Sequence, residues 1–255
     1  MNMAMIQRLS LVVLFIIIVS AVGLRFYGLD WDSGYPYSPH PDERAMIYAV
    51  ERIDLDSSGK NLNPQWFSYG SLPIYLNFFT LELIEKLTTI NDPDGGRLFG
   101  RVLSALAGVG TAVYFYFATV GFLGRRWSLF AVALLLFTVL HIQIGHFLTV
   151  DALLCFLLMG SLYSLAEFIK RGSYKAAMFT GVWIGLGVAT KLTALLIAPA
   201  VCVALFLYAV RIKENLSISS SFFNLASTTF LRGGLIFITA VVIAVICQPF
   251  MLADW

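Results

Sequence analysis

Asp42 and Glu43 stand side by side directly after His40-Pro41, in a segment dense in acidic and aromatic residues. Adjacent carboxylates beside a membrane surface suit removal of a proton from an acceptor hydroxyl, once burial raises a carboxyl pKa toward neutrality. The same pair suits the first turn of a helix, where the macrodipole favours negative charge. Asp151 lies in the run Phe147-Leu148-Thr149-Val150-Asp151-Ala152-Leu153-Leu154, at the mouth of a long apolar stretch. An ionisable group at such a boundary is costly at depth and is a functional candidate, while Thr149 or Asp151 would also serve as a helix cap. His141 and His146 fall in the same short connection, where a histidine also reads as a loop or interfacial residue. Lys191 separates two apolar stretches in Gly185-Leu186-Gly187-Val188-Ala189-Thr190-Lys191. A cation there could hold a lipid phosphate, or it could simply snorkel to the interface. Arg97 and Arg101 open another apolar run and carry the same pair of readings, phosphate contact or interfacial anchor.

Such residues need elements that bring them to one membrane face, and the composition supplies a bilayer. Of the 255 residues, 59% are apolar, 15% aromatic and only 13% charged. A soluble domain averages about 25% charged residues, so this chain cannot cover a water-facing surface. Its charges cluster and leave apolar runs such as 9–26 and 127–140. A helix crossing a ~30 Å hydrocarbon core needs ~20 apolar residues. The net charge of +2 comes with no basic patch outside short loops, so no nucleic-acid partner is indicated. Cys155, Cys202 and Cys247 all sit in apolar runs without a CxxC or Cys/His pattern. They indicate neither a disulfide framework nor a zinc site. Arg8 precedes an apolar run to about Leu24 with no small-x-small cleavage site, which reads as an uncleaved first span.

Seven spans are expected, near 9–27, 98–122, 127–145, 152–169, 176–190, 193–210 and 231–249. The fifth is short and carries Gly181, Gly185 and Gly187, so one long broken helix over 176–210 competes with two spans. Charge decides. With seven spans, Arg8, Arg125, Arg126, Lys170, Arg171, Lys175, Arg211, Lys213 and Arg232 share one side, opposed only by Glu167 and Glu214. The other thirteen of the fifteen acidic residues lie across the membrane. The positive-inside rule then puts the N-terminus and the basic loops in the cytoplasm.

The outward segment 28–97 holds Asp30, Asp32, Asp42, Glu43, Glu51, Asp54 and Asp56 among Trp31, Tyr35, Tyr37, Trp66, Phe67 and Tyr69. Pro41 is a helix-start signal for 42–53. Apolar residues at 72, 75, 76, 79, 83, 87 and 90 keep helical spacing. Asn77, Glu82, Glu85 and Lys86 interrupt that stripe, so 71–90 is expected to lie on the membrane rather than cross it. A turn at 91–96 leads into the second span. A small serine run at 217–221 falls in a cytoplasmic loop.

HPDERAMIYAV (40–50), NPQWFSYGSLPIYL (63–76), RLFGRVLSALAG (97–108), GHFLTVDALL (145–154) and GLGVATK (185–191), in this order and sidedness, resemble the GT-C membrane glycosyltransferases. Within these the chain is similar to the protein O-mannosyltransferase and lipid A aminoarabinose-transferase branch. The resemblance implies an all-α, polytopic transmembrane helical bundle, a single module over 1–255 that includes the outward loop 28–97. It implies transfer of a sugar from a polyprenyl-phosphate donor to an acceptor hydroxyl, on the outer face of the plasma (inner) membrane. Asp42 matches the family's outward base or acceptor-orienting aspartate, with Glu43 beside it, and Asp151 matches a second acidic position at the fourth span. Lys191 matches the basic residue facing the donor phosphate, Arg101 and His146 are expected to assist there, and Tyr69 falls where a donor-contacting aromatic is expected. Some branches hold a divalent metal between two acidic residues, and Asp42, Asp151 and His146 are the candidates for it. Leu72 departs from the basic residue that relatives often carry before this proline. Relatives also continue beyond this point with more spans and often a soluble domain. The chain therefore reads as a fragment, a split-enzyme subunit, or a non-catalytic GT-C-like subunit of a larger membrane complex. A transporter would show paired broken helices, and no such pair is seen.

Overall fold

The computed structural model describes residues 3–35, 37–55, 61–87, 96–215 and 222–251. Asp56, the expected turn at 91–95 and the serine run at 217–221 lie outside the described residues. Among the described residues the fold is helical, apart from an isolated bridge between Asp54 and Asn61. Helix α1 (Met3–Phe26) is the first span. Two short helices follow on the loop side, α2 (Pro41–Glu51) and α3 (Leu72–Leu87). Then come α4 (Arg97–Leu136), α5 (Val139–Gln143), α6 (Val150–Arg171), α7 (Tyr174–Val188), α8 (Ala198–Asn215) and α9 (Phe222–Cys247).

Among the described residues, five helices are by themselves long and apolar enough to cross a membrane. The chain is a multi-pass membrane protein. The difference from seven has two physical causes. Helix α4 is one run of 40 residues, but Gly124 has φ 73° and ψ 166°, which only glycine adopts freely, and the chain reverses there. The reversal sets Arg126 beside Ser10 on α1 and His141 beside Arg25 at the far end of α1. Helix α7 has 15 residues, about 22 Å of rise against a ~30 Å core.

The competition between one broken helix and two spans resolves locally. Helix α7 stops at Ala189-Thr190, Lys191 is extended (φ −158°, ψ 131°), and a 3-10 turn over Leu192–Ile197 leads into α8. Helix α8 then runs back, because Tyr208 packs against Gly172 at the opposite end of α7. Ser173 caps α7 by accepting from the Ala176 N–H at 3.2 Å.

In lipid, close packing rather than water expulsion joins helices, so small residues mark the seams. Gly181 and Gly185 face α9 so closely that a Cβ would lie 2.6 Å from the Ile236 carbonyl oxygen and 2.5 Å from that of Ala240. Gly108 and Gly145 leave room for the buried Arg25, which donates to the Ala21 carbonyl and lies 2.5 Å from His141 Nδ1.

Helix α2 begins with Pro41 at a position where the missing N–H costs nothing. Its apolar face (Met46, Ile47, Val50) packs with Ile74 and Phe78 of α3 and with Leu148 and Val150 at the entry to α6. The loop side therefore has its own core, fastened to the mouth of the bundle. In a cysteine-free background, cysteines at the exposed Tyr48 and Ser173 are expected to react with an impermeant maleimide from opposite sides, Tyr48 from outside. Labelling from one side would overturn this arrangement.

Candidate active site

Consecutive helical residues point about 100° apart, and this separates Asp42 from Glu43. Glu43 is fully buried. Its Oε1 accepts from Arg101 Nε at 2.7 Å and from the Leu148 N–H at 2.8 Å. Its Oε2 accepts from an Arg101 terminal nitrogen at 2.7 Å and from Ser38 Oγ at 2.5 Å. A carboxylate has about four lone-pair sites, and all four are occupied. Glu43, expected as a catalytic candidate, has no site free for an acceptor proton.

Arg101 is equally committed. Besides its two bonds to Glu43, it donates to both oxygens of Asp32 at 2.7 and 2.8 Å and to the Leu29 carbonyl at 2.6 Å. Those contacts use its five N–H donors, and Trp31 stacks over the guanidinium at 5.2 Å. Arg101, expected at the donor phosphate, instead joins the loop after α1 to α2, α4 and the entry of α6. Arg97 adds a 3.2 Å ion pair to Asp32. Burial works against the Asp32 carboxylate, but the hydrogen bonds and charge of Arg101, with Arg97, outweigh it and hold its pKa below the usual range.

On the other face of α2, four expected residues meet in a half-exposed row. Tyr69 Oη donates to Asp42 Oδ2 at 3.3 Å. Lys191 Nζ lies 5.0 Å from the centre of the Tyr69 ring and donates to Asp151 Oδ1 at 3.0 Å. Burial opposes the Lys191 charge, yet the hydrogen bond and charge of Asp151, with smaller help from Tyr69 and Asp42, raise its pKa. Lys191 therefore stays a cation at neutral pH. Burial, then the charge of Asp42, pushes the Tyr69 phenol up, with Lys191 opposing, so Tyr69 stays a donor.

Backbone contacts hold the row together. The Gly70 N–H donates to the Thr190 carbonyl at 3.0 Å, and the Leu72 N–H to that of Ala189 at 3.1 Å. A Cβ at Gly70 would stand 1.9 Å from the Ala189 oxygen, so this approach requires glycine. Trp66 meets Tyr69 edge to face, with ring centres 5.4 Å apart. Asp151 occupies the first turn of α6, while Thr149 makes no side-chain cap bond.

His146 is not in the row. Its Nδ1 lies 2.9 Å from the Ile142 carbonyl and its Nε2 3.1 Å from that of Tyr27, so it fastens the α5–α6 connection to the end of α1. The three residues considered for a divalent metal are thus not gathered, and no group of three His, Cys, Asp or Glu fit for a metal occurs among the described residues. Sequence reasoning missed Asp32 and Gly70 as positioning residues. Asp32 gave no sign beyond its charge, whereas the glycine after Tyr69 was a readable hint of close backbone approach.

This architecture has known parallels. The chain superposes with a TM-score of 0.71 on a chain of the S. cerevisiae protein O-mannosyltransferase Pmt1-Pmt2 complex bound to the sugar donor, at 15% identity. The match covers 96% of this chain and 34% of that one, so this chain spans about a third of its length. No match is found among curated proteins. The profile of the dolichyl-phosphate-mannose-protein mannosyltransferases matches residues 80–250, which hold Arg101, Asp151 and Lys191. That match covers more than half of the 255 residues, and the chain belongs to the dolichyl-phosphate-mannose-protein mannosyltransferase family.

Proposed function

We propose that the chain carries the sugar-transfer site of a GT-C glycosyltransferase that uses a polyprenyl-phosphate sugar and glycosylates a hydroxyl on the outer membrane face. The observation that carries the reading is the row Asp42, Tyr69, Lys191 and Asp151, which sets an open carboxylate near a held cation. The acceptor hydroxyl oxygen attacks the anomeric carbon. The bond from that carbon to the phosphate oxygen breaks, and the polyprenyl phosphate departs with the electron pair. Asp42 takes the hydroxyl proton as general base. Lys191 stabilises the charge on the departing phosphate, with Asp151 aiming the ammonium and Tyr69 holding both Asp42 and the space between.

Glu43, Arg101 and Asp32 are positioning residues in this scheme. The outer-face placement is supported by the charge asymmetry of the loops, which favours a cytoplasmic N-terminus. The donor lipid is one partner, and a further membrane subunit is the other.

The test is donor binding. Lys191→Ala is expected to weaken binding of a polyprenyl-phosphate sugar by roughly tenfold or more, the scale of a charge-assisted hydrogen bond. Lys86→Ala removes an exposed cation on α3 that pairs with Glu82 and is expected to change little. Equal, small effects of both variants would return Lys191 to an interfacial anchor.

A further inference from the structure

At the other end of the bundle the reversal at Gly124 creates a second feature that the reaction does not use. The helical segment after Gly124 lies along α1, and between them runs an apolar groove of about 490 Å³ lined by Val13, Ile17, Leu129 and Ala133. Its volume is that of a ligand site. The groove runs into a second hollow of about 280 Å³ that shares Ser10 and Arg126 and adds Gln7, Arg125 and Trp127.

The mouth is therefore polar and cationic, while the floor is apolar. Arg125 and Arg126 are exposed, and neither forms a salt bridge among the described residues. Lys170 adds charge nearby, since a Cβ on Gly121 would come within 3.2 Å of its Nζ. Glu167 is engaged by Lys170 at 3.2 Å and by Arg171 at 2.7 Å. From Arg101 to Gly124 is ~35 Å of helix, which puts this mouth at the bundle end opposite Asp42 and Lys191.

We propose that this hollow and groove bind one anionic glycerophospholipid, its phosphate between Arg125 and Arg126 and an acyl chain along α1. Charge complementarity selects the occupant. A zwitterionic lipid fills the groove equally well but brings a cation to a mouth that already holds two. A free phosphate ion makes no use of the apolar floor.

Trp127 lies at the mouth and is 67% exposed, so it reports occupancy. The full chain is reconstituted in phosphatidylcholine vesicles containing brominated phosphatidylglycerol or brominated phosphatidylcholine, and tryptophan quenching is followed. Trp127→Phe identifies the responding signal. Quenching by the anionic lipid is expected at about tenfold lower mole fraction, since each basic residue near the surface contributes a severalfold preference. Arg125→Gln with Arg126→Gln abolishes that preference. Ala133→Phe, which fills the groove and keeps both charges, also reduces it. Lys175→Gln with Lys213→Gln, a basic pair away from the groove, leaves it unchanged. The proposal is overturned if the two double variants lose the preference equally, if Ala133→Phe has no effect, or if millimolar inorganic phosphate displaces the lipid.

Discussion

Asp42→Asn is expected to lower sugar transfer by roughly 10²–10⁴-fold, the range for a lost general base, while leaving the fold and donor binding nearly intact. The amide has the carboxylate's size, so Tyr69 Oη keeps an acceptor at the position it reaches now at 3.3 Å. What disappears is the ability to take a proton. Asp42 is only partly buried and packs no core, whereas its neighbour Glu43 is buried with four bonds. The two carboxylates should therefore separate in experiment. Asp42→Asn should fail in the chemical step with an unchanged melting temperature, and Glu43→Gln should fail by losing structure. The measurement pairs initial rates, with the natural donor and any required partner subunit present, with thermal unfolding of the same preparation. Full activity in Asp42→Asn would remove the catalytic assignment. A wild-type chain that binds donor but transfers nothing with its natural partners would instead mark a non-catalytic subunit.

Arg101→Gln carries the largest expected cost in stability, on the order of 3–5 kcal/mol, because removing one partner of a buried ion pair leaves uncompensated charge. Here the side chain holds two carboxylates, Asp32 and Glu43, each almost wholly buried. The loss has a pH signature. Asp32 has a depressed folded pKa, so its contribution is complete above the unfolded value near 3.9 and fades as pH falls through the lower folded value. Wild type therefore loses this stabilisation in acid. The variant gains relief there, since a protonated carboxyl tolerates burial without a cation. The gap in unfolding temperature between wild type and Arg101→Gln should be wide at pH 7 and narrow as the pH falls below about 4, where Asp32 takes up its proton. A variant that melts with wild type at neutral pH would show that the network does not hold the loop side.

The residues behind these two expectations differ in how far a sequence discloses them. The apolar runs, the Pro41 start of α2 and the helical stripe of α3 were readable because each depends on residues close in sequence. The break at Lys191 was readable in another way: the glycines of the short fifth span raised it, and the sidedness of the basic loops decided it. The pairing of Arg101 was not readable. Its partners stand 58 and 69 residues away, and an arginine opening an apolar helix looks the same whether it faces lipid phosphate or buried carboxylates. The choice between Asp42 and Glu43 hangs on one step of helical rotation, set by how α2 lands on Ile74 and Leu148. His146 illustrates the same limit: its chemistry allows metal ligation, but the local turn aims both nitrogens at backbone carbonyls.

The glycine seam of α7 has a consequence for how the chain is made. Gly181 meets Ile236, and Gly185 meets Ala240, so each contact waits for a stretch of chain some fifty residues downstream. At ribosomal rates of about 5–20 residues per second, α7 enters the membrane several seconds before α9 exists. During that interval a 15-residue helix must sit in a bilayer that wants about 20, with its flattest face against lipid tails. Until then α7 has only α6 to lean on, through Ser164 and Thr180 and through Gly160 against Trp183, and α9 later covers its glycine face. The row's partners for Lys191, by contrast, are all made before it: Asp151, Tyr69 and the Gly70–Leu72 backbone precede it in the chain.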